Sequence, residues 1–149
     1  MKSLKRKIHV QYAALPFRLV GDVLQVLLVT SRETKRWVIP KGWPEKHLKP
    51  HQVAAAEAYE EAGLRGEVVK TPIAAFEYVK VLADRSAVLC LVEVFPLRVQ
   101  EMLNRWPEQD QRKRCWMSAQ DAADAVQEKG LKRLLLEFAR HPDPADFSA

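Results

Sequence analysis

Three glutamates fall on one side of a single predicted helix. Residues 51–63 are rich in Ala and Glu, both good helix formers, and end at Gly63, a residue type that commonly terminates helices. At about 100° per residue, Glu60 and Glu61 lie within roughly 60° of Glu57 around the helix axis. The opposite arc carries Ala55, Ala58, Tyr59 and Ala62. We therefore expect one side to pack through small side chains and the other to present three carboxylates.

Helix stability gives no reason to gather these carboxylates. Like charges at this spacing destabilise a helix by about 0.2–0.5 kcal/mol per pair, and the helix carries no Lys or Arg that could pair with them. A bound divalent cation explains the cluster, because Mg²⁺ binds carboxylate oxygens together with water and substrate phosphate. On the helix alone, a solvated acidic face is an equally good interpretation.

The segment before this helix favours phosphate chemistry. A short β-rich run, Trp37-Val38-Ile39, is followed by Pro-Lys-Gly at residues 40–42. Gly42 allows backbone and substrate to approach closely, and Lys41 offers a point charge to a phosphate group.

Residues 42–64 as a whole resemble the Nudix box, G-x5-E-x7-R-E-U-x-E-E-x-G-U, where U is usually a bulky aliphatic residue. The matching positions are Gly42, Glu57, Glu60, Glu61, Gly63 and Leu64, with Ala58 as a small residue at a U position. Leu48 and Ala56 stand where the pattern has Glu and Arg. The resemblance implies a Mg²⁺- or Mn²⁺-dependent hydrolase of diphosphate linkages, with the metal held by Glu57, Glu60 and Glu61. It also implies that the missing Arg would have oriented Glu57.

A second segment narrows the resemblance. Arg112-Lys113-Arg114-Cys115-Trp116-Met117, just before a Ser-capped helix, is similar to the Nudix subgroup that hydrolyses diphosphoinositol polyphosphates and dinucleoside polyphosphates. That subgroup also carries an arginine at the position of Arg18. The residues implied for substrate binding are Arg18, Lys41, Gly42, Arg112 and Arg114. From the residues alone, the 112–114 cluster is as well explained by an exposed basic turn.

Several smaller questions stay open at this stage. The general base could be a box glutamate or a carboxylate from a later loop, such as Glu101 or Glu108. His47 and His51 are four residues apart, but Pro50 between them argues against a zinc pair on a helix. Trp43, next to the Pro-Lys-Gly turn, could stack on a nucleobase.

The elements that must position these residues alternate between strands and helices. Strands are predicted at Gln11–Val20, Val23–Thr30, Trp37–Ile39, Glu67–Val81, Ser86–Phe95 and Cys115–Met117. Ser118 and Asp121 predict the start of a helix that ends near Gly130. A last helix carries an apolar stripe, either core or dimer surface, formed by Leu131, Leu134, Leu135 and Phe138. The predicted class is α/β (α+β) with a mixed sheet, and the resemblance implies the Nudix α/β/α sandwich.

Length, cysteine content and charge limit the number of domains, the cellular location and the type of substrate. The 149 residues predict one domain over residues 9–140, with loose ends at 1–8 and 141–149. No apolar run approaches the roughly 18 residues of a membrane span, and two isolated cysteines favour the cytoplasm. Residues 1–50 hold eleven Lys/Arg against three Asp/Glu, a balance of +8 that suits a polyphosphate substrate.

We interpret the sequence as that of a hydrolase of a small, highly phosphorylated molecule. Two alternatives remain. The first is a non-catalytic Nudix-like module that binds a phosphorylated metabolite, favoured by the losses at Leu48 and Ala56. The second is an RNA-directed pyrophosphohydrolase, favoured by a pI of 9.3. The sequence carries no recognisable RNA-binding motif, so nucleic acid is not expected as a partner. A homodimer is left open.

Overall fold

A computed structural model describes residues 7–140 and contains an eight-stranded mixed sheet. The strands are β1 Ile8–Val20, β2 Val23–Thr30, β3 Trp37–Val38, β4 Lys41–Gly42, β5 Leu64–Val68, β6 Ala74–Val81, β7 Ala87–Met102 and β8 Arg114–Ser118. The central order is β3-β2-β1-β7-β5, while β4 pairs with β1, β6 with β7 and β8 with β2. The helices are α1 Pro50–Ala62, α2 Ala119–Ala125 and α3 Lys129–Ala139.

Helices cover both faces of the sheet. Along β2, Leu27 and Val29 pack with α1, whereas Val26 and Leu28 belong to the core beneath α2 and α3. This alternation follows from the two-residue period of a strand. Because both faces are buried, β2 is apolar at nearly every position rather than at every second one. The predicted α/β/α sandwich with a mixed sheet is confirmed.

The centre of the sheet is a parallel pair. β1 and β7 run side by side over ten register positions, from Ile8 opposite Leu89 to Phe17 opposite Arg98. β1 also forms an antiparallel hairpin with β2, and Gly21 in its turn has a φ of 62°. A left-handed residue at a tight turn favours glycine, which has no Cβ to clash.

Two strand predictions need correction. The run predicted as one strand over Glu67–Val81 is two strands, β5 and β6, separated by residues 69–73. Both pair antiparallel with β7, which extends to Met102 instead of stopping at Phe95. β5 pairs with the C-terminal half of β7 and β6 with its N-terminal half. The connection between them contains Pro72, a residue that has no N–H to donate to a sheet.

The C-terminal helices also differ from expectation. The predicted cap is present, since Ser118 Oγ accepts a hydrogen bond of 3.0 Å from the Asp121 N–H. However, α2 ends at Ala125, and Gly130 lies inside α3, where it packs against Phe76. The apolar stripe of α3 is core, because Leu131, Leu134, Leu135 and Phe138 are all buried.

The structure does not describe the outermost residues at either end of the chain. Residues 1–6 and 141–149, where loose ends were expected, lie outside the described residues, and β1 already begins at Ile8. The single domain over residues 9–140 stays a prediction. Within residues 7–140 no helix is both long and apolar enough to cross a membrane.

Candidate active site

The helix that carries the glutamates has clear boundaries. α1 begins at Pro50, whose fixed φ and missing N–H suit the first helical position. The backbone N–H of Lys49 donates to Gln52 Oε1 at 2.8 Å. At the other end Gly63 adopts a φ of 66°, and its N–H donates to the Tyr59 carbonyl at 3.0 Å. The predicted stop at Gly63 is confirmed.

The three carboxylates sit at different depths. The helix packs on the sheet through Ala54, Ala58 and Ala62, all fully buried. Glu61 borders this surface and is only 6% exposed, whereas Glu57 is half-buried and Glu60 is exposed. The expectation of three carboxylates facing outward together was therefore wrong for Glu61, because the packing surface is centred closer to that residue than the sequence suggested.

A two-residue strand brings the Pro-Lys-Gly segment against the carboxylates. β4 pairs with β1, with Ala13 opposite Lys41 and Tyr12 opposite Gly42. This pairing lets the Lys41 backbone N–H donate to the Glu61 carboxylate. A Cβ added at Gly42 would lie 2.5 Å from Glu57 Cδ. The glycine is therefore required by the close approach of the Glu57 carboxyl group.

Two of the glutamates hold their protons unusually tightly. Burial raises the pKa of Glu57 to about 8, and repulsion from Glu61 and Glu60 adds to the effect. Burial also raises the pKa of Glu61 to about 7, opposed by attraction from Arg112 and Lys41. Carboxylates in such a position gain from a cation that replaces the lost water.

Arg112, two residues before β8, supplies a cation to this cluster. Its Nη1 lies 3.6 Å from Glu61 Oε1 and donates to the Thr30 carbonyl at 3.1 Å. Its Nε donates to Glu108 Oε1 at 2.7 Å. The charge of Glu108 raises the pKa of both Glu57 and Glu61, so Glu108 belongs to the same cluster. Glu101, the other loop carboxylate considered, is exposed on β7 opposite Arg65.

Lys41 links the glutamate cluster to Tyr78 and Glu128 in the protein interior. Its Nζ lies 5.2 Å from the centre of the Tyr78 ring. Burial lowers the pKa of Lys41, while attraction from Glu61 and then Glu128 raises it. Glu128 Oε2 is buried without a hydrogen-bond partner in the described part of the chain. No sequence pattern pointed to Tyr78 or Glu128, because only the tertiary fold brings them to Lys41.

The other two predicted arginines lie elsewhere. Arg114 donates to backbone carbonyls at the C-terminal end of α1, including Ala62 O at 2.8 Å. Arg18 donates to Gln25 Oε1 at 2.8 Å and stacks 4.1 Å from the Trp116 ring. Arg18 is five residues beyond Ala13 on β1, or roughly 17 Å along the strand. The structure thus brings together Lys41, Gly42, Arg112 and the three box glutamates, with Arg18 and Arg114 at two further positions.

The donor set has the chemistry for a hard divalent ion. Carboxylate oxygens are the protein ligands that Mg²⁺ and Mn²⁺ prefer, and the raised pKa of Glu57 marks a place where positive charge is favoured. Among residues 7–140, no three His, Cys, Asp or Glu side chains are already gathered closely enough to hold one ion.

The NUDIX domain family model matches residues 10–138. The chain belongs to the Nudix family. The enzyme class expected from the sequence, a Nudix-type pyrophosphohydrolase, is confirmed.

Relatives and solved structures agree with this assignment. The Nudix domain is 32% identical over 143 residues to Nudix hydrolase 13, mitochondrial, of Arabidopsis thaliana, covering 85% of this chain and 71% of that protein. It is 32% identical over 117 residues to the mouse diphosphoinositol polyphosphate phosphohydrolase 3-alpha, covering 77% and 67%. A solved Ap4A hydrolase of C. elegans shares the fold, with a TM-score of 0.62, 16% identity and coverage of 89% and 97%.

Two positions of this chain depart from the Nudix box, Leu48 and Ala56. Leu48 is 36% exposed, and Ala56 is half-buried on α1. The guanidinium group nearest to the box glutamates comes instead from Arg112.

Proposed function

We propose that this Nudix hydrolase cleaves a diphosphate linkage in a multiply phosphorylated substrate, with Mg²⁺ or Mn²⁺ held by Glu57, Glu60 and Glu61. The observation that carries the proposal is the apposition of two carboxylates with raised pKa, Glu57 and Glu61, to the backbone of Lys41 and Gly42. Burying like charges next to each other is unfavourable without a cation between them.

The bound ion would neutralise phosphate charge and lower the pKa of an attacking water. This chain's own groups then orient the reactants and move the proton. The proton of the attacking water would pass to a carboxylate of this cluster, either a box glutamate or Glu108. Glu108→Gln leaves the three proposed metal ligands in place, so a lowered kcat with unchanged Mn²⁺ affinity in that variant would identify Glu108 as the acceptor, and unchanged kcat would leave the role to a box glutamate.

Cationic groups fit a substrate with several phosphates. Lys41 and Arg112 lie beside the box glutamates. Arg18, which stacks on Trp116, lies roughly 17 Å along β1 from Ala13, the residue opposite Lys41. We propose that the Gly42 backbone and Arg112 face the phosphates at the cleaved linkage, and that the buried Lys41 adds positive charge behind the box glutamates. Arg18 and Trp116 would then contact the far end of an extended substrate, as in a dinucleoside polyphosphate or a diphosphoinositol polyphosphate.

A binding module without catalysis is the second candidate. It is favoured by Ala56, which leaves Glu57 without the arginine of the family pattern. An RNA-directed pyrophosphohydrolase remains a third, on charge alone. Partners other than the small-molecule substrate are not proposed, except that a homodimer stays open.

A substrate panel assayed with and without metal tests these candidates. We expect phosphate or pyrophosphate release from dinucleoside polyphosphates or diphosphoinositol polyphosphates, strictly dependent on Mg²⁺ or Mn²⁺ and abolished by EDTA. Glu60→Gln should lower kcat by about 10²–10⁴-fold with an unchanged circular dichroism spectrum. Full turnover in excess EDTA would rule out the metal-dependent mechanism, and tight binding without turnover would favour the module.

We also propose a cytoplasmic location. Cys90 is buried, Cys115 is exposed and both are free thiols, as is usual in a reducing compartment. The Arabidopsis relative is named as mitochondrial, so imaging of the tagged protein with a mitochondrial marker decides between the two compartments.

A further inference from the structure

The C-terminal end of α1 is enclosed by a single later segment, residues 103–114. A helix leaves its last four carbonyl groups without intrahelical partners. Here the Tyr59 carbonyl accepts from the Gly63 N–H at 3.0 Å and the Glu60 carbonyl from the Glu108 N–H at 3.0 Å. The last two carbonyls, of Glu61 and Ala62, accept from side chains of the segment.

Arg114 and Trp106 are those side chains. Trp106 Nε1 donates to the Glu61 carbonyl at 3.1 Å. Arg114 Nη1 donates to the Ala62 carbonyl and Nη2 to the Leu103 carbonyl, both at 2.8 Å. The Arg114 guanidinium also stacks on the Trp106 ring, 3.9 Å from its centre. One guanidinium thus ties the end of α1 to the start of the enclosing segment.

Gly63 is matched to this arrangement. A Cβ added there would lie 2.6 Å from Trp106 Cδ2, so the indole packs directly on the glycine backbone. The positive charge of Arg114 also lies at the negative end of the helix dipole, where cations are favourable.

We propose that Arg114 is a positioning residue for the reaction rather than a phosphate ligand, fixing the last turn of α1 and therefore the direction of Glu60 and Glu61. The Arg114 guanidinium donates to the backbone carbonyls of Ala62, Gly63 and Leu103, so its hydrogen-bond donors are already occupied by the protein. The inference rests on the proposed metal site, because it concerns the ligands of that site.

The neighbouring Lys113 provides a matched control. Residues 112–115 alternate in exposure, so Arg112 and Arg114 face α1 whereas Lys113 points to solvent. The Lys113 N–H donates to Thr30 Oγ1 at 2.9 Å and its carbonyl accepts from the Thr30 N–H at 3.0 Å, so both bonds use the backbone. Lys113→Ala therefore removes a cation from the same basic tripeptide without touching α1.

The test is Mn²⁺ binding to metal-free protein, followed by steady-state kinetics. We expect Arg114→Ala to weaken Mn²⁺ binding about tenfold or more and to lower kcat with little change in KM, while Lys113→Ala matches wild type. Trp106→Phe keeps an aromatic ring but a smaller one, and it loses the N–H donor, so we expect a loss in the same direction that is smaller than that of Arg114→Ala. A raised KM with unchanged kcat and Mn²⁺ affinity in Arg114→Ala would overturn the inference. So would a lowered melting temperature with unchanged Mn²⁺ affinity.

Amide exchange keeps this inference distinguishable from the proposed function. If Glu60→Gln does not reduce the Mn²⁺ binding of the wild-type protein, or if wild type binds no Mn²⁺, the proposed metal site is wrong. The role of Arg114 at the end of α1 is still tested by hydrogen exchange at the amides of Leu103 and Glu108, which donate to the carbonyls of Gly63 and Glu60. Faster exchange of both in Arg114→Ala supports it, and unchanged exchange overturns it.

Discussion

Gly42 and Glu57 compete for the same small volume, and only the absence of a side chain at residue 42 lets the carboxyl group occupy it. The added methyl of Gly42→Ala would push Glu57 away from its neighbours on α1. Because displacements near 1 Å can cost about 10² in rate, we expect kcat to fall by about that factor while the fold is kept. Steady-state kinetics and circular dichroism check this.

Gly21→Asn is a suitable control for that variant. Gly21 also has a special backbone conformation, but nothing lies within 4 Å of a Cβ added there, and Asn tolerates positive φ. The control should keep wild-type kcat. Wild-type kcat in Gly42→Ala would show that Glu57 need not stay where it is.

The raised pKa of Glu57 predicts how the stability of the metal-free protein varies with pH. Below its usual pKa of 4.5, Glu57 is protonated in both the folded and the unfolded state. Between about 4.5 and 8 the unfolded state ionises first, so stability falls as pH rises and is lowest above about pH 8.

Glu57→Gln removes this ionisation. In EDTA, the melting temperature of Glu57→Gln minus that of wild type should increase steadily from about pH 5 to pH 8.5. A constant difference between the two proteins across this range would contradict the raised pKa. The same variant should lose turnover when metal is present.

At the scale of elements, α1 was predictable and its surroundings were not. The helix end at Gly63 and the neighbouring glutamates are local properties, so the sequence placed them within a residue. β4 and the break at residues 69–73 depend on pairing with β1 and β7, which are distant in sequence. Likewise, the alternating exposure of residues 112–115 puts Arg112 and Arg114 on one face, but only the fold shows that this face meets α1.

The substituted positions of the box give a prediction about α1 itself. Ala56→Arg should be neutral or harmful on its own, because residue 48 is Leu and offers no carboxylate to the new guanidinium. The arginine could instead pair with Glu57 and draw it away from the metal. A marked rise in kcat for Ala56→Arg, measured beside Ala55→Arg as a control, would show that the box is merely impaired.

For the whole molecule, charge is the dominant asymmetry. Residues 1–50 carry a balance of +8, and they include Lys41 and Arg18. If these cations attract a polyphosphate substrate, KM should rise as NaCl increases from about 0.05 to 0.5 M, because attraction is screened over roughly 8–10 Å near physiological salt.

Substrate choice provides the matched comparison. A nucleotide sugar, with one diphosphate, should show a weaker salt dependence and a lower kcat/KM than a substrate with four or more phosphates. The charge argument fails if the nucleotide sugar or ADP-ribose is the best substrate, or if salt lowers kcat and leaves KM unchanged.

The parallel pairing of β1 with β7 has a consequence for how the chain acquires its shape. Each pair joins residues 81 positions apart, from 8 with 89 to 17 with 98. During synthesis the catalytic helix emerges well before the strand that completes the sheet beneath it. Pairings this distant close late and slowly, so we expect refolding in milliseconds to seconds. Stopped-flow experiments should find Mn²⁺ binding recovered only in the slowest phase, because the glutamates acquire their shared geometry when the sheet closes.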